Sequence, residues 1–267
     1  MSLLSRERFV AVLGASGVGL GRGQGSHNQW LGSVGFIDEG FMAWAVALET
    51  LERLLAEHAA SGAELQVLVS AHFCRYCLVP WSEQINSPEE LQGLARVCFE
   101  DLYGPPSQPW KLVISAEAAG FDRIASAVPE DLLNRLNSLA KTRGLRLVSV
   151  QPYLMAAYNH FDKRLGTEDF LLVVAEPVRS VLLLARNGRW AAVRSVGCND
   201  SDAALGALIG RESQLQASLS ERPLRVYLHA PGRLDAAPQV PEVELLQVQA
   251  APAAPRDSLY LMSRAVA

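Results

Sequence analysis

The feature that most restricts how this 267-residue chain can fold is a pattern that occurs twice. Phe9-Val-Ala-Val-Leu13 has the apolar, β-branched content of a strand, and Trp30 opens another apolar stretch 21 residues after Phe9. Leu65-Gln-Val-Leu-Val-Ser-Ala71 begins 35 residues beyond Trp30. Phe170-Leu-Leu-Val-Val174, Trp190 and Leu224-Arg-Val-Tyr-Leu-His-Ala230 repeat that order at intervals of 20 and 34 residues. The same order at nearly the same spacing predicts two related halves. Each reads as three short strands, a helix and a fourth strand, so the fold class is α/β. The division expected is a first half over 1–150 and a second, reduced half over 151–267.

Local signals fill in this frame. Trp44, Leu48, Leu51 and Leu55 recur at helical spacing, with Glu49, Glu52, Arg53 and Glu57 on the other face, predicting a helix over about 42–58. Ser87-Pro-Glu-Glu90 combines a capping box with proline in the first turn and opens a helix to about Leu102, with Cys98 on its apolar face together with Leu91, Leu94 and Leu102. Residues 110–116 and 124–128 read as strands, followed by a helix from Pro129 with Leu132, Leu136, Leu139 and Ala140 on one face. Leu145–Val150 is a further strand, and Pro152 opens a connecting helix through about Phe161. In the second half, Asn187-Gly188 marks a tight hairpin, and Asn199 to Ser201 cap a helix carrying Leu205, Leu208 and Ile209. Residues 231–256 read as surface loop around one short strand, 243–248.

Composition narrows the class of function. With 49% hydrophobic and 19% charged residues the chain can pack a core, which argues against global disorder. A net charge of −4 gives no bulk attraction for nucleic acid or anionic lipid. The longest apolar stretch, Phe41 to Leu48, is far short of the roughly 18 residues that cross a bilayer. Residues 1–8 are polar and charged and lead into no signal-peptide centre. Four cysteines in a chain of this length do not make a disulfide framework. A cytoplasmic protein is the expectation.

Gly14-Ala-Ser-Gly-Val-Gly-Leu-Gly-Arg-Gly-Gln-Gly25 is the most conspicuous segment. Gly14 and Gly19 have the spacing of the first two fixed positions of a phosphate-binding loop, which then needs lysine and a hydroxyl for phosphate and Mg²⁺. Leu20-Gly21 stand there instead, and the first lysine of the chain is Lys111. The spacing G-x-G-x-x-G fails as well. The glycines therefore read as a hairpin with φ > 0 turn positions, with a backbone contact to phosphate as the alternative.

Three other constellations carry candidate chemistry. His72-Phe-Cys74-Arg-Tyr-Cys77 holds a C-x-x-C but has no second ligand pair, so buried structural thiols are expected rather than zinc. There is no G-x-S-x-G elbow, and the five histidines are scattered, so no catalytic residue is named. Glu176 directly follows the strand at 170–175, and Asp38-Glu39 follow the one ending near Ile37, where carboxylates could hold Mg²⁺. Pro177 sets a turn after Glu176, so the plainer reading of that carboxylate is a solvated turn residue.

Two halves of this form resemble the duplicated RNase H-like, or actin-like ATPase, fold: two mixed β-sheets with flanking helices. Leu68-Val-Ser-Ala-His-Phe-Cys-Arg-Tyr-Cys-Leu-Val-Pro-Trp81 resembles a strand-pair segment of the PilM and GspL families, cytoplasmic actin-like components of type IV pilus and type II secretion machines. Gly144-Leu-Arg-Leu-Val-Ser-Val-Gln-Pro152 resembles their crossover between halves, and Val193-Arg-Ser-Val-Gly197 the third strand of their second half. The resemblance spans about residues 8–230.

What it implies is a nucleotide cleft at Gly14, Ser16, Gly17, Glu176 and Gly197, but a vestigial one. Nucleotide-binding members carry an Asp-x-Gly-type turn after the first strand of each half. Gly14-Ala15-Ser16 and Glu176-Pro177-Val178 stand in those places, and Gly197-Cys198 keeps half of a glycine pair. The transmembrane helix and periplasmic domain of GspL have no counterpart, and the second half reads as shorter than in PilM. The expected function is thus a non-catalytic adaptor of a pilus or secretion assembly platform. It would be cytoplasmic, peripheral at the inner membrane, and would bind a PilN-like tail of an inner-membrane partner. No cofactor is required, although weak Mg-ATP binding is left open. An ATPase or small-molecule kinase of the same fold is the alternative, with Glu176 and Asp38 as its candidate carboxylates. An α/β protein with an unrelated ligand is the third.

Overall fold

The computed structural model describes residues 7–24, 27–37, 43–59, 61–106, 109–219, 224–234, 237–249 and 255–266. The earlier elements are β1 (Arg8–Leu13), β2 (Gly17–Gln24), β3 (His27–Gly35), α1 (Ala43–His58), β4 (Glu64–Val69), β5 (Arg75–Val79), α2 (Pro88–Tyr103), β6 (Trp110–Ile114), β7 (Arg123–Pro129), α3 (Glu130–Thr142) and β8 (Arg146–Pro152). Then follow α4 (Tyr153–Leu165), β9 (Phe170–Glu176), β10 (Arg179–Arg186), β11 (Arg189–Gly197), α5 (Asp202–Leu219), β12 (Arg225–His229), β13 (Glu244–Leu245) and α6 (Ser258–Ser263). The chain divides into two units, one of Met1–Phe73, Asp131–His160 and Val248–Ala267, the other of Cys74–Glu130 and Phe161–Gln247.

In the first unit, Phe9, Ala11, Val12 and Leu13 of β1 are fully buried, as in a central strand covered on both faces and with a neighbour on each edge. Antiparallel β2 provides one and parallel β4 the other, giving the order β3-β2-β1-β4-β8. Leu132, Leu136, Leu139 and Ala140 form the buried stripe of α3, as their spacing predicts. Where β1, β4 and β8 begin, the register sets Arg8, Glu64 and Arg146 side by side. Arg8 Nε donates to Glu64 at 3.3 Å, and the Arg146 guanidinium bonds its other oxygen. The Glu64 side chain is 13% exposed while its two partners are more than half exposed.

The second unit repeats the arrangement with the order β11-β10-β9-β12-β13, antiparallel on the β10 side of β9 and parallel on the β12 side. All seven residues of β9 are buried, and Leu171, Val173, Leu182 and Leu184 join Leu205, Leu208 and Ile209 of α5 in one core cluster. The Asn187-Gly188 turn between β10 and β11 has φ of 53° and 68°, the left-handed pair that a two-residue hairpin of this twist needs. Asp169, only 8% exposed, accepts from Asn187 N at 2.6 Å and from Arg186 Nη1 at 3.0 Å, and so pins that hairpin.

This unit also holds a third sheet, β5-β7-β6, wholly antiparallel and outside the repeat. Cys77, Val79, Leu112, Ala125 and Ala127 of this sheet pack with Ala95 of α2. Ser87 Oγ accepts from Glu90 N at 3.1 Å, capping α2, while the Glu90 carboxylate takes Asn86 N at 2.7 Å. Leu102, expected on the buried face of α2, is 56% exposed because the apolar stripe runs through Leu91, Leu94, Ala95, Cys98 and Phe99. The strand expected over 243–248 shrinks to Glu244–Leu245, paired only with Tyr227 and Leu228.

The hydrogen bond from Arg146 holds the Glu64 carboxyl below its ordinary range, outweighing the opposing desolvation, and Arg8 adds to it. A carboxyl whose folded pKa is depressed stabilises the fold above its unfolded pKa, and that contribution is lost as pH falls through the folded value. Glu64→Gln is therefore expected to lower the urea midpoint at neutral pH, with the difference from wild type closing on acidification below the carboxylate range.

Candidate functional site

Glycine occupies positions 17, 19, 21 and 23 of β2, and strand alternation puts all four on one face. The ring of Trp30 and the side chain of Leu259 occupy that face. A Cβ on Gly19 would lie 2.4 Å from Trp30 Cη2 and 2.9 Å from Leu259 Cβ, and one on Gly14 2.5 Å from Leu259 Cδ2. At Gly17 it would stand 3.1 Å from Val34 O and 3.3 Å from Leu259 Cδ1. The expected hairpin forms between β1 and β2, but none of the described glycines in this segment has positive φ, so the expected φ > 0 positions are absent from it. Most of them lie within a strand, and they are glycine because other groups pack directly on the backbone. The turn itself is Ala15-Ser16, closed by Gly14 N donating to Gly17 O at 2.9 Å, and Ser16 O accepts from Phe36 N at 2.9 Å.

The covering segment comes from the other end of the chain. Trp30 Nε1 donates to Asp257 Oδ2 at 3.0 Å, and its ring meets Tyr260 edge-on with centroids 5.6 Å apart. Asp257 also caps α6, accepting from Leu259 N at 2.9 Å. Sequence reading did not single out Asp257, Leu259 or Tyr260; the one local signal was a capping aspartate before an apolar run.

The other proposed site residues meet in the second unit. Arg179 opens β10 between Glu176 on β9 and Gly197 on β11. Pro177-Val178 form the turn, with Val178 at φ 56° and 64% exposed, a strained conformation for a β-branched residue. Cys198 N donates to Val178 O at 3.2 Å. Gly232, which was read only as loop, reaches the same corner: a Cβ there would come 3.1 Å from Asp200 Oδ2 and 3.2 Å from Pro177. Arg233 beside it donates to Asp200 O at 2.7 Å and to Asp202 Oδ1 at 2.8 Å, which holds the Asp202 carboxyl below its ordinary value.

Glu176 is 2% exposed, so the expectation of a solvated turn carboxylate is wrong: the side chain folds inward while the turn after it faces out. Burial, and next the Arg75 charge, lower the pKa of Arg179, with Glu176 acting in the opposite sense. Gly14, Ser16 and Gly17 thus form one group in the first unit, and Glu176 and Gly197 another in the second. Asp38 and Glu39 lie outside the described residues.

Segment 65–81 is not one extended piece: β4 ends at Val69 and β5 starts at Arg75. Cys74 and Cys77 are both buried. Among the described residues no three His, Cys, Asp or Glu side chains gather as a metal site. Burial and then Glu176 push the Cys74 thiol far up, and burial with Cys98 raises that of Cys77 to about 12.

Two measurements check this description. Gly19→Ala is expected to cost about 1–3 kcal/mol by overpacking against Trp30 and Leu259. Gly197→Ala, with open space at its Cβ, should stay within about 0.5 kcal/mol in the same urea titration. Mass spectrometry after iodoacetamide treatment of the native protein should find Cys74 and Cys77 unlabelled, both reacting once the chain is unfolded.

No protein-family model matches this sequence, and no curated protein matches it. Solved structures do. One is a Bacteroides thetaiotaomicron protein with an actin-like ATPase fold and unknown function, with TM-score 0.60 and 13% identity over 92% of this chain and 94% of that one. A PilM–PilN type IV pilus biogenesis complex matches with TM-score 0.61 and 16% identity, covering 98% of this chain and 99% of that one. The cytoplasmic domain of EpsL, an inner-membrane component of the Vibrio cholerae type II secretion system, matches with TM-score 0.54 and 14% identity over 96% and 94%. The resemblance is thus met at the level of the fold, and the chain has the actin-like ATPase fold.

Proposed function

We propose that the chain is a non-catalytic, actin-like adaptor of a type IV pilus or type II secretion assembly platform, binding a PilN-like cytoplasmic tail of an inner-membrane protein. The observation that carries this reading is the likeness to the PilM–PilN complex over nearly the whole of both chains. The turn chemistry supports it. Ala15-Ser16 and Pro177-Val178 offer no carboxylate, lysine or glycine at the tips where the fold's ATPases hold phosphate and metal. Among the described residues no helix is long and apolar enough to cross a membrane, so the adaptor would reach the bilayer through its partner. On this reading it works in the cytoplasm, at the inner face of the membrane.

One feature favours a second reading, a Mg-ATP-dependent ATPase or small-molecule kinase. Glu176 is a carboxylate kept inside at the end of β9, and buried acids are over-represented at reactive sites. Calorimetry separates the two. The adaptor is expected to bind the cytoplasmic tail of a PilN-like inner-membrane protein with micromolar affinity and to give no heat with Mg-ATP. Micromolar Mg-ATP binding that is lost in Glu176→Ala would favour the enzyme and overturn the adaptor.

A further inference from the structure

Two arginines of the second unit act on each other's charge and pair with no carboxylate. Arg75 starts β5, and Arg179 starts β10 opposite Gly197 of β11, the strand on which β5 packs. The Arg75 guanidinium lies 5.8 Å from the centroid of the Tyr103 ring and 5.6 Å from that of Trp110, and its Nη1 donates to Cys74 O at 3.1 Å. Arg179 Nη1 reaches Ser195 Oγ at 3.5 Å, while its Nε is buried without a hydrogen-bond partner. Among the described residues neither arginine makes an ion pair.

Burial first, and the Arg75 charge next, lower the pKa of Arg179, while Glu176 across from it on β9 raises it. Tyr103 senses both cations: burial raises its pKa, the Tyr76 carbonyl and Arg75 lower it, Cys77 raises it and Arg179 lowers it. The Tyr103 hydroxyl is engaged with Tyr76 O at 2.8 Å. Contact with two rings accounts for the place of Arg75. It does not account for Arg179, because buried donors are nearly always paired and this Nε is not. A water on that N–H would still leave two like charges uncompensated.

We propose that Arg75 and Arg179 together hold a phosphoryl group, as free phosphate or as a phosphate monoester. Each guanidinium offers a planar fork of N–H donors that matches two phosphate oxygens. Two forks supply two positive charges to a group that carries about −1.5 to −2 at neutral pH. A carboxylate, with one charge and two oxygens, would occupy one fork and leave the other unmatched. The rings of Tyr103 and Trp110 hold Arg75, and Ser195 Oγ steadies Arg179, so both forks are set before the anion arrives. Glu176 opposes the anion, since its charge acts on the same arginine. That separates this site from a Mg-ATP centre, which would require Glu176. The site stands whether or not the chain is an adaptor.

The test adds inorganic phosphate or methyl phosphate to the full chain, with EDTA present and at fixed ionic strength. Nitrogen-edited proton NMR follows the arginine Nε–H groups. The Arg75 and Arg179 signals are expected to shift and to saturate at roughly millimolar phosphate. Arg75→Gln and Arg179→Gln should each weaken binding about tenfold, and Arg179→Lys, which keeps the charge without the fork, should recover only part of the loss. Glu176→Gln should tighten binding about threefold. Equal binding of the two probes supports a site for the free ion, and tighter methyl phosphate supports one for a monoester. Phosphate should also raise the urea midpoint of the wild type and leave that of Arg179→Gln in place. An equal rise in both is the general salting effect of phosphate and overturns the site. An Arg179 Nε–H that ignores phosphate and exchanges with a bound water overturns it as well, as does loss of phosphate binding in Glu176→Gln.

Discussion

The contact on which the first unit turns is between a strand with no side chains on one face and the groups that lie on it. Trp30 and Leu259 sit within van der Waals reach of β2 because Gly14, Gly17, Gly19 and Gly21 leave room for them. Asp257 joins the two parts: it takes the indole N–H of Trp30 and caps the helix that delivers Leu259 and Tyr260. A bare strand face would be poorly buried alone, and glycine lowers strand propensity besides. The closing segment compensates by bringing apolar area from residues 257–265 onto the sheet. The glycines thus serve packing, whatever the Ala15-Ser16 turn binds.

In the second unit the counterpart of that turn is built by other means. Asn187-Gly188 and Pro177-Val178 bound β10, one with an unstrained left-handed pair and the other with a valine held at φ 56°. The strained turn is backed by Glu176, inside, and by the close approach of Gly232 and Asp200. Val178 O is engaged by Cys198 N, so the corner is tied into both flanking strands. Strain of this kind costs of the order of 1–3 kcal/mol and persists only where neighbours over-determine the backbone. It marks the corner as one whose backbone is held in place by its neighbours.

Much of the architecture was legible because it depends on local periodicity. The leucine stripe of α3, the capping serine of α2 and the Asn-Gly hairpin each act over a few residues, and each lies where its spacing put it. The repeat itself reduced to two sheets with matching strand orders. Less was legible wherever a residue's meaning came from a distant partner. Leu102 kept helical spacing yet faces out, because the stripe that meets the sheet runs through Cys98 and Phe99. Glu176 looked wet because Pro177 follows it, but the direction of its side chain is set by the packing around β9.

Resemblance in short segments implied the actin-like kind; the sequence by itself determined an α/β repeat whose two expected tips carry Ala15-Ser16 and Pro177-Val178. Those conclusions need only residue identity and spacing. Tertiary structure alone decided what the glycines of β2 are for, since the groups that exclude a Cβ from Gly19 come from β3 and from a helix some 240 residues further along. It also brought Arg75 and Arg179 within reach of each other's charge. Neither residue carries a local signal for the other, and the packing of β5 on β11 that brings their strands together is settled by long-range contacts that no local pattern encodes.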